Sequence, residues 1–313
     1  MGKIECLEAI KQNIKKVVVG KDDVIDMLLV SLICSGHIMI EDLPGLGKTT
    51  LASALASSLG CDFQRIQFTP DVLPSDITGF NIYDINTGKK SFQKGSVHSQ
   101  IVLADEINRA SPKTQSALLE AMQERQVTVD GKTYELPKPF MILATENPVD
   151  TAGTYPLPEA QLDRFLMRIN MGYPDFESEI NILRQNRSVI NEVKLDPVAT
   201  AQDILRIQEA VELVFISDEI LKYIVEITTA TREYEGVSMG VSPRGSIALT
   251  QAACGLALLN GRNFVVPDDV KRLAPYVLAH RMIMKNRSGA AGTTAEDAIN
   301  QILSTIRVPK VKG

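Results

Sequence analysis

Residues 41–50, EDLPGLGKTT, predict a glycine-bearing loop that opens a helix, and their types suit phosphate chemistry. Gly45 and Gly47 let the backbone turn its N–H groups toward a phosphate at the N-terminus of that helix, whose dipole favours an anion. Lys48 would reach the β and γ phosphates of a nucleotide, and Thr49 would place its hydroxyl on Mg²⁺. The predicted nucleotide-binding residues of this loop are Gly45, Leu46, Gly47, Lys48, Thr49 and Thr50.

One residue of this loop departs from the usual phosphate-binding pattern. Asp42 stands where the pattern has glycine, although aspartate tolerates a left-handed backbone better than most other residues. Small-molecule kinases also use such a loop, so a kinase is one alternative to an ATPase. A kinase, however, needs neither the polar strand end nor the arginines described below.

Two adjacent carboxylates supply the second part of the predicted site. In IVLADEINRA, at 101–110, four small or apolar residues predict a buried strand, and Asp105 and Glu106 follow it. Ligands of open α/β sheets bind beyond the carboxyl ends of the strands, where the phosphate-binding loop also lies. Asp105 would hold the hydrated Mg²⁺ together with Thr49, and Glu106 would polarise the attacking water as the catalytic base.

Further candidate residues come later in the chain. An asparagine follows a third predicted strand, and arginines lie near the boundaries of two predicted elements. Asn147, in FMILATENP, can hydrogen-bond both to water and to the γ-phosphate. Arg164, in PEAQLDRFLMRI, would meet the charge that develops on that phosphate, often in a neighbouring subunit, whereas Arg168 is better explained by a surface ion pair. Arg244 lies just inside a helix that begins with SPR, where the dipole also favours an anion. The predicted catalytic residues are Glu106, Asn147, Arg164 and Arg244.

Short apolar segments alternate with helical segments through the first half of the chain. Two amphipathic helices, 4–19 and 22–35, come first. Strands are then predicted at 37–40, 64–68, 101–104, 140–145 and 168–171. Buried strands that alternate with helices, such as 113–125, predict a parallel sheet with helices on both faces. The predicted fold class is therefore α/β, with the parallel-sheet core of a P-loop NTPase.

Strand signals stop after Tyr173-Pro174, and the remaining segments have helical patterns. Ser217 before two acidic residues and Ser242 before a proline are typical helix starts, as is the proline with two aspartates at 267–269. We therefore predict an α/β nucleotide-binding core at 1–173 and a small all-helical domain at 174–313.

Five motifs occur together in an order and spacing that resemble those of MoxR-type AAA+ ATPases, of the helix-2-insert clade. They are EDLPGLGKTT, LADEINRA, ILATENP, PEAQLDRF and SPRG, which resemble the Walker A, Walker B, sensor-1, arginine-finger and sensor-2 motifs over essentially the full chain. The resemblance implies that the chain binds ATP and Mg²⁺, that it forms a homo-oligomeric ring, usually a hexamer, with ATP between subunits, and that the helical domain is a lid. Gly20, in Val19-Gly20-Lys21, resembles the segment that flanks the adenine.

The resemblance also implies two hairpin insertions, at 79–97 and 125–136, that face the pore or rim of the ring. The residues themselves support the second hairpin, because VTVDGKTYEL alternates around Asp130-Gly131. The apolar and aromatic residues of the first insertion are Phe80, Ile82, Tyr83 and Phe92. They are candidate contacts for client proteins, and some of them would instead anchor the hairpin.

Two classes of partner follow from these features. MoxR-like proteins are associated with partners that bear von Willebrand factor A domains and with insertion of metals or cofactors, so the resemblance implies a chaperone-like machine that remodels or matures protein clients. A nucleic-acid motor is the alternative, because related rings act on DNA and the first insertion carries Lys89, Lys90 and Lys94. A net charge of −5 and the absence of an aromatic-basic patch weigh against nucleic acid.

The composition is that of an ordinary globular protein. Over 313 residues, 44% are hydrophobic and 23% charged, which suits one large domain with a smaller companion. The four cysteines are far apart and the three histidines isolated, which predicts reduced thiols and no metal-ligand cluster. The N-terminus does not resemble a signal peptide, and the apolar stretch at 27–33 is too short to span a bilayer. We therefore expect a cytoplasmic protein without membrane insertion.

Overall fold

A computed structural model of the chain describes residues 2–43, 45–83, 85, 88–148, 153–187, 195–285 and 293–309. Its helices are α1 (Lys3–Lys15), α2 (Asp22–Ile33), α3 (Lys48–Leu59), α4 (Pro74–Thr78), α5 (Pro112–Glu124), α6 (Glu159–Leu162), α7 (Phe176–Arg187), α8 (Ala201–Val211), α9 (Asp218–Glu233), α10 (Pro243–Leu259), α11 (Pro267–Leu278) and α12 (Ala295–Thr305). Its strands are β1 (Ile38–Glu41), β2 (Phe63–Gln67), β3 (Gly79–Tyr83), β4 (Lys90–Lys94), β5 (Ile101–Asp105), β6 (Gln126–Val129), β7 (Lys132–Glu135), β8 (Met141–Glu146), β9 (Met167–Ile169), β10 (Val237–Met239) and β11 (Ile283–Met284). Within these residues, no helix combines the length and the apolar composition that crossing a membrane requires.

Five parallel strands form the central sheet, in the order β2–β5–β8–β1–β9. Their carboxyl ends therefore lie along one edge of the sheet. Ile38 and Ile40 of β1 belong to one apolar cluster, with Leu55 of α3, whereas Met39 belongs to another, with Leu118 of α5. This alternation buries both faces of the sheet, because successive side chains of a strand point to opposite sides. The predicted α/β core, with helices on both faces, is confirmed.

The helices after β9 form a lid that shares its core with the N-terminal helices. Leu249 of α10, Leu273 of α11 and Ile299 of α12 belong to the same apolar cluster as α1 and α2. Helix α10 lies so close to α2 that a Cβ on Gly255 would stand 2.4 Å from the Sγ of Cys34. The predicted helical lid is confirmed, with one addition that the sequence pattern did not predict, an antiparallel pair of short strands, β10 and β11. The division at 173/174 remains a prediction.

Two antiparallel hairpins, β3–β4 and β6–β7, are present where insertions were predicted. Asp130 and Gly131 have φ of 51° and 76°, as the two-residue turn between β6 and β7 requires. The hairpins pack together: Asn81 Nδ2 donates to Asp130 Oδ2 at 2.9 Å, and the ring of Phe92 stacks on that of Tyr134 at 3.8 Å. Phe92 is therefore an anchor and not a free client contact. The other candidates are exposed, namely Phe80, Ile82 and Tyr83.

Candidate active site

The loop between β1 and α3 presents its backbone at the carboxyl edge of the sheet. Gly45 and Gly47 have φ of 85° and 89°, and a Cβ on either would meet nothing closer than 4.0 Å. Their backbone conformation, and not crowding, therefore favours glycine. Helix α3 begins at Lys48 with no side-chain cap and no acidic residue in its first turn, which suits an anion at its N–H groups. The remaining predicted residues lie beside them, Leu46 and Thr49 half-buried and Thr50 exposed.

Lys48 is buried near the carboxylates that were predicted to bind the metal and to act as the base. Its side chain is buried, and its Nζ donates to the carbonyl oxygen of Asp42 at 2.7 Å. Burial lowers the pKa of the Lys48 ammonium, whereas the nearby charges of Asp105, Asp42 and Glu106 counteract that effect. The ammonium therefore interacts electrostatically with Asp105, at the end of β5, and with Glu106, which follows it.

Asp42 stabilises the loop through its side chain. It is not among the residues with a positive φ, so the left-handed backbone considered for this position is not used. Its Oδ1 accepts the N–H of Leu43 at 2.8 Å, and its Oδ2 accepts the N–H of Gly172 at 2.7 Å. A glycine could not make these hydrogen bonds, and the second one joins the start of the loop to the segment that follows β9.

A buried hydroxyl holds the carboxylate of Asp105 and the backbone of Glu106. Asp105 ends β5, and Glu106 follows it with a φ of 56°, a left-handed conformation that few non-glycine residues adopt. Thr145 Oγ1, on the adjacent strand β8, donates to Asp105 Oδ1 at 2.6 Å and accepts the N–H of Glu106 at 2.8 Å. The Asp105 carboxylate and the backbone that carries Glu106 are therefore joined through one side chain. Sequence patterns did not single out Thr145, because threonine is common inside strands.

Two residues of β2, which sequence patterns also missed, bind the carboxylates. Arg65 donates to Asp105 Oδ2 from Nη2 at 2.6 Å and from Nε at 3.2 Å. Gln67 donates from Nε2 to Glu106 Oε2 at 3.0 Å and accepts from Arg65 at 2.9 Å. Arg109 adds an ion pair with Glu106 at 3.2 Å. The oxygen that Asp105 would offer to Mg²⁺ is thus engaged by a guanidinium in this structure.

Asn147 follows the carboxyl end of β8, beside a group of charged residues. Glu146, the last residue of β8, pairs in register with Glu41 of β1. Burial, reinforced by Glu41 and opposed by Arg168, raises the pKa of Glu146 to about 7. Arg168 forms ion pairs with Glu41 at 3.1 Å and with Glu296 of the lid at 3.3 Å. Its interpretation as an ion-pairing residue is confirmed, although the pairs are partly buried and join the core to the lid.

A cavity of about 450 Å³ lies beyond the end of β9, and its lining residue Met171 comes within 4.0 Å of a Cβ on Gly47 of the glycine loop. Gly20, Met171 and Tyr276 line it, so both the core and the lid contribute. Gly20 has a φ of 71°, and a Cβ there would stand 2.1 Å from the Oγ of Ser178, so a larger residue does not fit. Lys21 Nζ donates to three successive carbonyls from Met171 onward, at 2.6, 3.0 and 2.9 Å. The size and position of this cavity suit the base of a nucleotide whose phosphates lie on the loop.

Arg164 and Arg244 lie at the opposite edge of the sheet. Both line a cleft of about 330 Å³ that includes Gly36 and His37, which directly precede β1. Because β1 has four residues, about 13 Å of strand separates this cleft from the glycine loop. Arg164 Nη1 donates to the carbonyl of Leu119 at 2.7 Å, and the side chain of Arg244 is 75% exposed. Neither arginine is therefore close to the glycine loop of its own chain.

Known proteins share this arrangement. Residues 37–167 match the family model described as "ATPase family associated with various cellular activities (AAA)", and residues 229–302 match the AAA lid domain. Chaperone MoxR1 of Mycobacterium tuberculosis is 40% identical over 99% of this chain and 84% of its own length. The chain belongs to the MoxR-type AAA+ ATPases.

Other relatives also match this MoxR-type chain over nearly its whole length. The uncharacterized protein YeaC of Bacillus subtilis is 50% identical over 95% of this chain and 93% of its own length. A crystal structure from Cytophaga hutchinsonii, of a protein assigned as an ATPase, has a TM-score of 0.91 and 40% identity, and the match covers 98% of this chain and 96% of that one. The core and the lid are therefore both shared with relatives.

Proposed function

We propose that this MoxR-type chain hydrolyses Mg-ATP in a homo-oligomeric ring, a hexamer, and uses the reaction to remodel or mature protein partners. The observation that carries the proposal is the convergence of the glycine loop with Lys48, Asp105 and Glu106 at one edge of the sheet. A glycine loop alone would suit any P-loop enzyme. Glu106, the candidate base, directly follows Asp105, the candidate metal ligand. This pairing favours transfer of the phosphoryl group to water.

Each residue of this site has a proposed role. The backbone N–H groups from Gly45 to Thr50 and the ammonium of Lys48 bind the phosphates, and Thr49 and Asp105 hold Mg²⁺. When bound, Mg²⁺ neutralises part of the charge on the phosphates. Glu106 polarises the attacking water, and Asn147 orients it. The cavity beside Gly20 accepts the base.

Arg164 and Arg244 act, in this proposal, on the nucleotide of the adjacent subunit. Their distance from the glycine loop of their own chain supports a role in trans. A closed ring of heterologous contacts sets the same two surfaces against each other at every interface. If those surfaces are the two edges of the sheet, the side chains of Arg164 and Arg244 reach the nucleotide of the adjacent subunit. There they stabilise the charge that develops during phosphoryl transfer.

The partners are proposed to be proteins, including proteins with von Willebrand factor A domains, and the work to include metal or cofactor insertion. The name of the mycobacterial relative, a chaperone, supports this class. Phe80 and Ile82, exposed on β3, offer apolar contact on a hairpin that the nucleotide site does not use. Turnover measured with DNA and with a candidate protein partner separates the two classes, since stimulation by DNA alone would exclude the protein-remodelling proposal.

Two variants test the hydrolytic site. Glu106→Gln should bind Mg-ATP normally but lose roughly 10²- to 10⁴-fold in turnover, because an amide hydrogen-bonds to water but does not act as a base. Lys48→Ala should lose nucleotide binding itself, as measured by titration with a fluorescent nucleotide. Near-normal turnover of the first variant would remove Glu106 from the mechanism, and wild-type affinity of the second would contradict the phosphate-binding role of Lys48.

Mixed rings test the role in trans. Arg164→Ala should bind ATP normally yet hydrolyse it poorly. Glu106→Gln subunits can supply Arg164 to an Arg164→Ala neighbour whose Glu106 is intact, so two inactive proteins should regain part of the activity when mixed. No recovery at any ratio, with co-assembly shown by native mass measurement, would mean that Arg164 acts within its own chain or only structurally.

A further inference from the structure

A buried arginine of the lid holds the segment between α6 and β9. Arg281 has a side chain that is only 3% exposed, and it follows α11 in a short helical turn, Ala279–Arg281. Its Nε donates to Asp163 Oδ1 at 2.7 Å, and its Nη2 donates to the carbonyls of Phe165 at 2.7 Å and Asp163 at 3.2 Å. Its Nη1 donates to the carbonyl of Leu166 at 3.3 Å. One guanidinium thus binds the backbone on both sides of the predicted arginine finger.

Asp163 divides its carboxylate between two arginines of the lid. Its Oδ1 accepts from Arg281, and its Oδ2 lies 3.9 Å from the Nη1 of Arg244, at the start of α10. Arg281 packs against the start of α10, because a Cβ on Gly245, the residue after Arg244, would stand 3.1 Å from the Cδ of Arg281. Asp163 therefore connects the segment that carries Arg164 with the helix start that carries Arg244.

The surrounding cleft holds more positive charge than its carboxylate neutralises. Among the described residues that line it, four are arginines and one is acidic, namely Arg125, Arg164, Arg244 and Arg281 against Asp163. The positive charges of these arginines repel one another, and the repulsion is strongest where burial reduces screening by solvent. Without the carboxylate, the arginines with mobile side chains would move apart. The negative charge of Asp163 therefore offsets part of this repulsion, chiefly between Arg281 and Arg244, with which it pairs.

We propose that Asp163 and Arg281 are positioning residues, which set the placement of Arg164 and Arg244 toward the nucleotide of the neighbouring subunit. The inference rests on the proposed function, in which those two arginines act in trans. Arg281 follows directly after α11, and Tyr276 of α11 lines the cavity beside the chain's own glycine loop. The same stretch of the lid thus contacts the cavity beside the chain's own glycine loop and holds the segment that carries Arg164.

Asp163→Asn tests the proposal, because it keeps the size of the side chain and removes its charge. ATP affinity should stay within about twofold of wild type, whereas turnover of a homogeneous ring should fall roughly 10- to 100-fold, the loss that a displacement of about 1 Å causes. The melting temperature should also fall, because a buried guanidinium loses its counter-charge. The double variant Asp163→Asn and Arg281→Gln removes both charges. It should melt at a higher temperature than Asp163→Asn alone, while its turnover should stay below that of wild type.

Asp269→Asn is the matched control. Asp269 forms a comparable buried ion pair of the lid, with Arg262 at 2.5 Å, and neither residue lines the cleft. This variant should lower the melting temperature by a similar amount and leave turnover near that of wild type at a temperature where the ring is folded. A loss of turnover equal to that of Asp163→Asn would show that any weakening of the lid slows the reaction, and would overturn the positioning role.

Mixed rings separate positioning from a general structural defect. Glu106→Gln subunits carry an intact Asp163 and Arg281, so their fingers should restore turnover in Asp163→Asn neighbours, whose own Glu106 is present. A defect confined to the folding of the Asp163→Asn subunit would not be rescued, and absence of rescue with confirmed co-assembly overturns the proposal. Wild-type turnover of Asp163→Asn, with Arg164→Ala inactive, overturns only the positioning role. Wild-type turnover of Arg164→Ala overturns the proposed function in trans.

Discussion

Glu146→Gln should stabilise the folded protein at alkaline pH and should not do so in acid. Glu146 ends β8 at the edge that carries the candidate active site, and its buried Oε1 has no hydrogen-bond partner among the residues that the structure describes. Burial, together with the adjacent Glu41, raises the pKa of this carboxyl from 4.5 to about 7. The folded chain therefore retains a proton that the unfolded chain has already lost.

The sign and size of the effect follow from that difference. Between pH 4.5 and about 7 the folded state binds more protons than the unfolded state, so the free energy of unfolding falls as the pH rises through this window. At about 1.4 kcal/mol per pH unit, the full cost above the folded pKa is roughly 3 kcal/mol. A glutamine does not ionise and therefore avoids this cost. Its buried amide, however, would lack a hydrogen-bond partner, which costs about 1–3 kcal/mol. We expect a net stabilisation of roughly 1 kcal/mol in alkali and a loss of roughly 2 kcal/mol in acid.

Denaturant unfolding at about pH 5 and about pH 8.5, followed by circular dichroism because the chain has no tryptophan, measures the effect. The difference in free energy of unfolding between Glu146→Gln and wild type should change by roughly 3 kcal/mol between the two conditions. Glu120→Gln, on the exposed surface of α5, controls for the loss of one negative charge. The same pH dependence in Glu146→Gln as in wild type would refute the buried, protonated state of this carboxyl.

Three further predictions concern other parts of the molecule. Arg65→Met should lower the Mg²⁺ concentration needed for nucleotide binding by about two- to fivefold, since a partly exposed ion pair contributes about 0.2–1 kcal/mol. Calorimetric titration measures this concentration. Weaker Mg²⁺ binding in the variant would show that Arg65 does not compete with the metal. Gly255→Ala should cost about 1–3 kcal/mol of stability through its clash with Cys34, and a raised melting temperature, as helix propensity alone predicts, would contradict this contact. Phe92→Ala should lower the melting temperature by loosening both hairpins, whereas Ile82→Ala should weaken partner-stimulated turnover only; equal effects on stability would show that both side chains are anchors.

Local patterns were sufficient for the parallel core, the glycine loop, the carboxylate pair and the second hairpin, whereas the first hairpin was predicted from the family resemblance. The strands are short apolar runs, the loop needs two glycines with positive φ, and the turn at Asp130-Gly131 has the residue types that its backbone demands. Each of these signals lies within about ten residues of chain, so the sequence carries it directly. The small sheet of β10 and β11 was missed because its strands are two to three residues long and lie far apart in the chain.

The sequence by itself determined which residues can do the chemistry, whereas the tertiary structure decided what surrounds them. Thr145 reaches Asp105 across 40 residues of chain, and Arg281 reaches Asp163 across 118. Neither contact has a local pattern, because neighbouring strands of a parallel sheet are joined by long crossovers and the lid returns to the core from the far end of the chain. The raised pKa of Glu146 likewise depends on burial, which is a property of packing and not of a motif. Distance along the chain hid these contacts, and only folding brings their atoms together.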